Sequence, residues 1–511
     1  MSENIQDNKR IAKNTLLLYV RMLISIIVGL YTSRIVLKSL GVDDYGIFNV
    51  VGGIVSMMAF MNAAMTQASQ RFIAFELGTK NSNKLKLVFC TSVIIHVVIA
   101  LIVILICETF GLWFLNNMMN IAKERMYAAN CVYQSAIITF ICTIISVPYN
   151  ACIVAHEHLK AFAYISIIET IMRLLVAFLL LMLNTDRLIA YSILLATTSI
   201  LIRFLYGFYC KRNFNECIFN LMFDKQLFKK MFSFAGWSLL GSLGFSFKDQ
   251  AANIILNIFC GTSINAARGI ALQVNGVISN FSNSFIMALN PQITKQYACN
   301  NIEYSVSLVY LGCRYSFFLL SLITIPVILN IDYLLNLWLS EVPTYTAEFL
   351  TLALVAALIS SLAGPLVTAI QATGYVKVFQ IVICLVMLSE LPLAFFMLKL
   401  GFKPYQVMYP TIIVTFIGVI SRFYILQRIV KAYSFSYFIS NILLRNIVII
   451  FICFLASKYV HGFFQNNFSS FLVTSIISFV ITCLGIFFLG MTKNERINIY
   501  KKISNFIVNI K

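Results

Sequence analysis

Long apolar segments recur along the whole chain and constrain its fold more than any other feature. Segments of about 17 to 28 residues are long enough to cross the hydrocarbon core of a bilayer, about 30 Å thick, as α-helices. The chain is 60% hydrophobic and 11% charged, whereas soluble domains are roughly 45–50% apolar and 25% charged. The sequence therefore predicts an all-α, polytopic membrane protein with about 14 transmembrane helices. The predicted spans are 14–39, 45–70, 87–111, 127–153, 161–183, 187–209, 231–258, 264–290, 304–329, 347–371, 376–398, 405–428, 436–458 and 468–490.

Lysine and arginine are distributed unevenly between the two sides of the predicted membrane. With the N-terminus in the cytosol, and with basic residues at the ends of spans counted with the adjoining loops, 22 of the 38 basic residues fall on the cytosolic side, 7 on the outer side and 9 within spans. Because cytosolic loops of membrane proteins are enriched in basic residues, this count favours two cytosolic termini. It also accounts for the net charge of +19, so we expect no nucleic-acid partner. The polar N-terminus lacks a small-residue cleavage site, and we expect no cleaved signal peptide.

Two stretches of the sequence resemble each other at an offset of 217 residues. Three pairs of identical residues stand at this offset: Pro148 and Pro365, Lys160 and Lys377, Phe162 and Phe379. A parallel repeat of this kind predicts two pseudo-symmetric six-helix lobes related by an axis along the membrane normal. The predicted parts are an N-lobe (1–210, helices 1–6), a cytosolic linker (211–230), a C-lobe (231–430, helices 7–12), and helices 13–14 with a cytosolic tail (431–511).

Basic residues inside the predicted spans are the main candidates for a functional site. An arginine at the centre of a lipid-facing helix costs about 2.5–3.5 kcal/mol on insertion scales, so such residues tend to turn inward. Four of the basic residues within spans have small and polar residues around them in the sequence: Arg21, Arg34, Lys248 and Arg268. We expect them to line a water-filled cationic cavity that takes an anionic ligand, because guanidinium groups fit phosphate oxygens bidentately.

Acidic residues within the spans are fewer, the clearest being Glu169, Asp249 and Glu390. Asp249 could pair with Arg34 or Arg268, or bind a coupling proton or Na⁺. Glu169 precedes Arg173 by four residues, which is the favourable order for a neutralising pair on a helix.

Polar residues also gather at the cytosolic end of the second predicted span: Asn62, Gln67, Gln70 and Arg71. These side chains could contact sugar hydroxyls or gate an inner mouth. A role as helix caps and interface residues is an equal alternative.

Sequence signatures of enzymes and of metal sites are missing. The chain has no P-loop, no His-Glu-x-x-His and no nucleophile elbow, and its short loops leave little room for a catalytic domain. Among 13 cysteines we find no Cys-x-x-Cys and no Cys/His ligand spacing, and His156 and His158 are interpreted as solvated loop residues. We therefore expect a protein that is not an enzyme, without a cofactor or a metal.

The opening segment, KNTLLLYVRMLISIIVGLYTSRIVLKSLGVDDYGIFNVV, resembles the oligosaccharide flippases of bacterial polysaccharide biosynthesis. These proteins belong to the multidrug/oligosaccharidyl-lipid/polysaccharide exporter superfamily. The resemblance implies an alternating-access transporter in the bacterial inner membrane. It would move undecaprenyl-diphosphate-linked oligosaccharide to the periplasmic leaflet for surface polysaccharide such as O-antigen.

For the site, the resemblance implies that basic residues of helices 1, 2, 7 and 8 meet the diphosphate. Arg21, Arg34, Lys248 and Arg268 occupy three of those helices, whereas the second span has no basic residue at mid-membrane. The implied partners are the lipid-linked oligosaccharide, membrane lipids and a polysaccharide polymerase.

Two other classes of function remain open. A cation-coupled multidrug exporter would share the fold, but cationic drugs favour acids in the cavity. Among the candidate cavity residues, four bases stand against the single acid Asp249. A membrane polysaccharide polymerase or ligase would be polytopic too, yet we would expect a long outer loop bearing catalytic Arg or His.

Overall fold

The computed structural model describes residues 2–56, 58–79, 81–119, 121–183, 185–218, 224–260, 262–339, 342–464, 467–493 and 495–497. Across these residues the regular structure is helical and includes no β-strand. Parts of two predicted segments, the linker and the C-terminal tail, lie outside the described residues.

The helices of the first half are α1 Ser2–Ser56, α2 Ala59–Thr79, α3 Ser82–Ile106, α4 Leu112–Met118, α5 Met126–Ala155, α6 Leu159–Met182 and α7 Arg187–Asn213. Those of the second half are α8 Lys225–Cys260, α9 Thr262–Ala298, α10 Ile302–Leu329, α11 Ile331–Trp338, α12 Thr346–Ser361, α13 Ala363–Thr373, α14 Lys377–Leu388, α15 Glu390–Lys399, α16 Met408–Ile429, α17 Phe435–Tyr437, α18 Arg445–His461 and α19 Phe468–Gly485.

Eleven helical stretches among the described residues are long and apolar enough to cross a membrane, by length and composition. They coincide with eleven of the fourteen predicted spans. The other three predicted spans also fall on helices, but on more polar ones: α2 with the end of α1, α8, and α9. The predicted all-α, polytopic membrane fold is confirmed.

The predicted spans 14–39 and 45–70 meet at a kink within α1. The helix kinks at a single residue, Gly41, whose φ of 79° lies in the left-handed region, and it resumes immediately. Glycine adopts this conformation without the steric cost that a Cβ imposes. The predicted span 45–70 is itself divided, because α1 ends at Ser56 and α2 begins at Ala59.

Two prolines set helix breaks in the second half. Proline cannot donate a hydrogen bond, and its ring clashes with the carbonyl of the residue four positions earlier. Four residues before Pro365 is Ser361, where α12 ends, and four residues before Pro392 is Leu388, where α14 ends. A third proline, Pro148, lies inside α5 without a break.

The described residues group into two compact units. Unit 1 comprises 1–246, 287–305 and 371–381, and within it α5 packs against α7 and α2 while α1 packs against α6. Unit 2 comprises 247–286, 306–370 and 382–511, and within it α12 packs against α16 and α18 against α19. The predicted lobe boundaries stay a prediction.

The internal repeat has a conformational counterpart in unit 1. Glu157 and Gly374 stand at the same offset as the matched prolines, and both have a positive φ, 61° and 81°. Each follows a helix end, after α5 and after α13. A positive φ is uncommon for a non-glycine residue, so these two turns share a backbone feature that one copy achieves without glycine.

Candidate functional site

A buried ion pair joins α8 to α15 in unit 2. The Lys248 ammonium lies 3.1 Å from Glu390 Oε2, and the two side chains are only 6% and 3% exposed. The second carboxylate oxygen of Glu390 accepts a 2.7 Å hydrogen bond from the Thr411 hydroxyl. Because a buried charge is stable only when it is paired, Lys248 and Glu390 depend on each other.

Arg268 lies beside this pair on α9, with its side chain 4% exposed. Its Nη1 donates a hydrogen bond to Asn253 Oδ1, and its Nε makes no hydrogen bond within the part of the chain that the structure describes. The carboxylate of Asp249 is 3.9 Å from Arg268 and 3.8 Å from Lys248, and it is 38% exposed. These distances exceed those of charge-assisted hydrogen bonds, about 2.7–2.9 Å, so Asp249 is a loosely held partner.

The charges of this cluster are balanced, and the predicted cationic cavity, which also includes Arg21 and Arg34, stays a prediction. Glu390 was recognised as an intramembrane acid but was not placed in the cavity. Within unit 2 it brings the cluster to two bases, Lys248 and Arg268, and two acids, Asp249 and Glu390. A small cavity of about 10 Å³ lies beside Arg268, Glu390 and Thr411, and its other walls are apolar.

The two predicted cavity residues of helix α1 lie in unit 1. Arg21 is half-buried, and its guanidinium stands 5.0 Å from the centre of the Phe162 ring, a cation–π distance. Arg34 is exposed. That Arg21 and Arg34 share one cavity with Lys248 and Arg268 stays a prediction.

The predicted pairing of Glu169 with Arg173 on α6 is confirmed. Arg173 Nη2 donates to Glu169 Oε1 at 2.6 Å, and the two side chains are 33% (Glu169) and 54% (Arg173) exposed. The pair occupies one helix, so it neutralises both charges locally.

Arg71, predicted as an inner-mouth residue, holds the end of α13. Its Nε donates to the carbonyl of Gln371 at 2.9 Å and its Nη2 to the carbonyl of Ala372 at 3.0 Å. These carbonyls belong to the last turn of a helix, where intrahelical donors are missing. The guanidinium also lies 4.5 Å from the Phe72 ring centre. This geometry gives Arg71 a structural role, in line with the interface alternative.

The other three predicted inner-mouth residues differ in their surroundings. Gln67 is exposed, and its amide oxygen accepts a 2.8 Å hydrogen bond from the side chain of Gln371. Asn62 and Gln70 are partly exposed. Gln67 and Arg71 therefore hold the same segment, and we name this set of contacts to residues 371–372 the first clamp.

A second clamp joins the turn after α5 to α9 within unit 1. The buried Glu157 carboxylate accepts hydrogen bonds from Gln292 Nε2 at 2.7 Å and from Lys295 Nζ at 2.8 Å. Glu157 was not among the residues that the sequence singled out. Glu157 stands at the position that Gly374 occupies in the repeat, and this correspondence can be interpreted only when the positive φ of both residues is known.

An ion-pair network lies where the sequence predicts the outer side. Arg125 donates from Nε to Asp44 at 2.9 Å and from Nη1 to Asp186 at 2.6 Å. Burial raises the pKa of Asp186, but the hydrogen bonds from Arg125 and from the backbone N–H groups of Leu188 and Ile189, together with the positive charge of Arg125, outweigh burial and lower the pKa below the ordinary value of 3.8. One guanidinium thus ties α1 to the N-terminus of α7.

A family of known proteins matches the chain. The model of the family described as "Polysaccharide biosynthesis protein" matches residues 11–297, more than half of the chain. No curated protein matches.

Solved transporter structures share the fold. A MATE protein in its bent conformation aligns with a TM-score of 0.71 at 12% identity, covering 83% of this chain and 96% of its own. An outward-facing multidrug resistance MATE family transporter of the MOP superfamily gives 0.70 at 15% identity, with coverages of 83% and 96%. A MOP superfamily transporter from Pyrococcus furiosus gives 0.69 at 14% identity, with coverages of 82% and 96%.

At these identities the structural similarity establishes the fold and not the substrate. The family match covers α1 to most of α9, including the helices that carry Arg21, Arg34, Lys248 and Arg268. The chain therefore belongs to the polysaccharide biosynthesis protein family and is a membrane transporter of the multidrug/oligosaccharidyl-lipid/polysaccharide superfamily with a MATE-like fold.

Proposed function

We propose that the protein is an alternating-access flippase for undecaprenyl-diphosphate-linked oligosaccharide. It would move this substrate from the cytosolic to the periplasmic leaflet of the bacterial inner membrane, where a polysaccharide polymerase would use it. The observation that carries the proposal is the Arg268 guanidinium, which is buried beside a loosely held carboxylate in a protein of a polysaccharide family.

Arg268 is the residue best placed to receive a diphosphate. Its nearest acid, Asp249, stands beyond hydrogen-bond distance and is 38% exposed. A phosphate oxygen that displaces this carboxylate would gain charge-assisted hydrogen bonds at normal length. Between transport cycles, Asp249 would take the place of the substrate phosphate and neutralise the charge of Arg268.

Lys248 is less available than the sequence suggested, because Glu390 holds it in a buried pair. In our proposal it contributes positive potential next to Arg268 and does not leave Glu390. Arg21 and Arg34 are the proposed diphosphate contacts on α1, and Asn62, Gln67 and Gln70 the proposed sugar contacts at the inner mouth. The first and second clamps would release when that mouth opens.

The test is complementation of a bacterial strain that lacks its polysaccharide flippase and carries the native glycan cluster of this protein. Arg34→Ala and Arg268→Ala should be expressed in the membrane but should leave lipid-linked oligosaccharide on the cytosolic leaflet. Lys399→Ala, which changes an exposed residue at the end of α15, is the matched control and should complement. Full rescue by both arginine variants would refute the diphosphate assignment. Failure of the wild type with its own glycan cluster would refute the flippase function.

One observation favours a second candidate, a cation-coupled multidrug exporter. The sequence argument against it relied on an excess of bases, and the unit 2 cluster has as many acids as bases. Expression in a drug-sensitive strain separates the two functions. An exporter would raise resistance to lipophilic cations in a manner that depends on Asp249, whereas a flippase would not.

A further inference from the structure

A compact group of side chains of metal-binding types lies at the end of α5 within unit 1. It consists of Cys152, His156, Glu216 and Cys217. The ligand atoms of Cys152, His156 and Glu216 all lie within 4.8 Å of one another, and Cys217 Sγ lies 3.5 Å from Cys152 Sγ. We propose that these four residues bind one divalent transition-metal ion, with zinc as the best fit.

The separations that involve Cys152 are close to those of a tetrahedral zinc site, whereas Cys217 would need to rotate toward His156 and Glu216 to complete it. With zinc–sulfur bonds of about 2.3 Å and zinc–oxygen bonds of about 2.0–2.2 Å, tetrahedral geometry separates two sulfurs by about 3.8 Å and sulfur from oxygen by about 3.5–3.7 Å. The observed separations are 3.5 Å between the two sulfurs and 3.6 Å between Cys152 Sγ and Glu216 Oε1. His156 Nε2 and Glu216 Oε1 are in direct contact and need to separate slightly to admit the ion.

Local structure explains how residues about 60 apart in the sequence come together. Cys152 and His156 are one helical turn apart at the end of α5, so they project from the same face. Glu216 and Cys217 belong to the 3₁₀ turn that follows α7. The Phe214 ring stacks on the His156 imidazole with centres 4.2 Å apart, which fixes the direction of the imidazole. The packing of the end of α5 against the turn after α7 therefore brings the four side chains together.

The ligand types select the metal. Two thiolates and an imidazole favour zinc or another soft transition-metal ion over Mg²⁺ or Ca²⁺. Four protein ligands close the coordination sphere, which is the pattern of structural and not catalytic zinc sites. A further thiol, Cys210, donates a hydrogen bond to the Tyr149 carbonyl at 3.4 Å and lies next to Cys217. It offers a replacement ligand if Glu216 is displaced.

The proposed ion would fasten the segment after α7 to the end of α5. His156 immediately precedes Glu157, whose carboxylate forms the second clamp with Gln292 and Lys295. Metal binding would therefore stiffen the turn on which that clamp depends. The sequence expectation of no metal site came from looking for ligands close together in the chain, and here the two ligand pairs come from different helix ends.

The test measures the metal content of the full-length protein, purified under reducing conditions with a tag that contains no histidine. We expect about one zinc ion per chain by elemental mass spectrometry. The variant Cys152→Ser/Cys217→Ser should lose at least about nine-tenths of it, because thiolates supply half of the ligands. Cys483→Ser, a cysteine in α19, is the matched control and should keep the metal.

A second measurement guards against misfolding of the double variant. Wild-type protein stripped with a chelator should take up Co²⁺ and show the thiolate charge-transfer and intense d–d bands of tetrahedral coordination, and His156→Ala should weaken them. Three results would overturn the proposal: wild type that binds neither zinc nor cobalt, zinc retained in the double variant, or a disulfide between Cys152 and Cys217 in the purified protein.

Discussion

Replacing Lys248 by methionine should leave the Glu390 carboxylate buried without its cationic partner. At 3.1 Å and an effective dielectric constant of about 20, the Coulomb energy of the pair is about 5 kcal/mol. Breaking buried pairs from one side costs about 3–5 kcal/mol. With an unfolding entropy of about 2.1 cal/mol/K per residue, a 511-residue chain loses about 1 °C of Tm per kcal/mol. We therefore expect a Tm lower by about 3–5 °C, and a similar loss for Glu390→Gln.

The double variant Lys248→Met/Glu390→Gln removes both charges together. Since replacing a whole buried pair with neutral side chains is often nearly free of cost, its Tm should lie within about 1 °C of wild type. The assay is thermal unfolding of the detergent-purified proteins, followed by tryptophan fluorescence. Asp186→Asn, which removes one partner of an ion pair 32% exposed on both sides, is the control and should cost no more than about 1 kcal/mol.

The same double variant separates pairing from substrate binding. If Lys248 serves only Glu390, the double variant will be as stable and as active as wild type in the complementation assay. If Lys248 contributes potential to the diphosphate site, it will be stable but impaired in transport. Single variants with unchanged Tm, or a double variant whose loss equals the sum of the two single losses, would refute the reasoning about the buried pair.

Three further perturbations address unit 1. Arg71→Lys should lower the Tm although the charge is kept, because an ammonium cannot reproduce the planar fork that holds two carbonyls; an unchanged Tm would exclude the first clamp as a stabilising contact. Gly374→Ala should lower the Tm more than Gly401→Ala. Both glycines have a positive φ, 81° and 83°, but only at 374 does the new Cβ lie 3.0 Å from Arg71 Nη2. Equal losses of Tm would contradict the steric argument. The pKa of Asp186 is lowered in the folded protein, so its pair with Arg125 stabilises the protein above pH 3.8, and this stabilisation is lost as the pH falls through the lower folded pKa. The Tm of wild type should therefore exceed that of Asp186→Asn by less at pH 3 than at pH 7. A Tm difference that does not depend on pH would rule out an ionic origin.

Hydrophobic length and charge bias were sufficient to predict the helices of this protein, because each span must satisfy its own backbone hydrogen bonds in lipid. The breaks inside the spans were harder to predict. The breaks four residues before Pro365 and Pro392 coincide with the carbonyl that each proline ring would clash with, whereas no proline accompanies the separation of α1 from α2. Pro148, Pro291 and Pro326 lie inside helices without a break, so a proline in the sequence does not by itself determine where a helix ends.

The candidate site was predicted less completely, since side-chain partners come from distant parts of the sequence. Lys248 and Arg268 were found because a base in an apolar helix is conspicuous. Glu390 lies about 140 residues further on from Lys248, and nothing in the sequence indicates that it faces α8. The same limit applied to Arg71, whose partners at 371 and 372 are carbonyl groups without a signature in the sequence.

The first clamp has a consequence for the biogenesis of the protein. Arg71 and its carbonyl partners are 300 residues apart, so at about 5–20 residues per second the ribosome needs roughly 15–60 s to deliver the second after the first. During that time the guanidinium must be hydrated or held by the insertion machinery. A truncated chain that ends just before residue 371 would present Arg71 without its carbonyl partners, which would make it a substrate for membrane quality control, although Glu157 would already have Gln292 and Lys295.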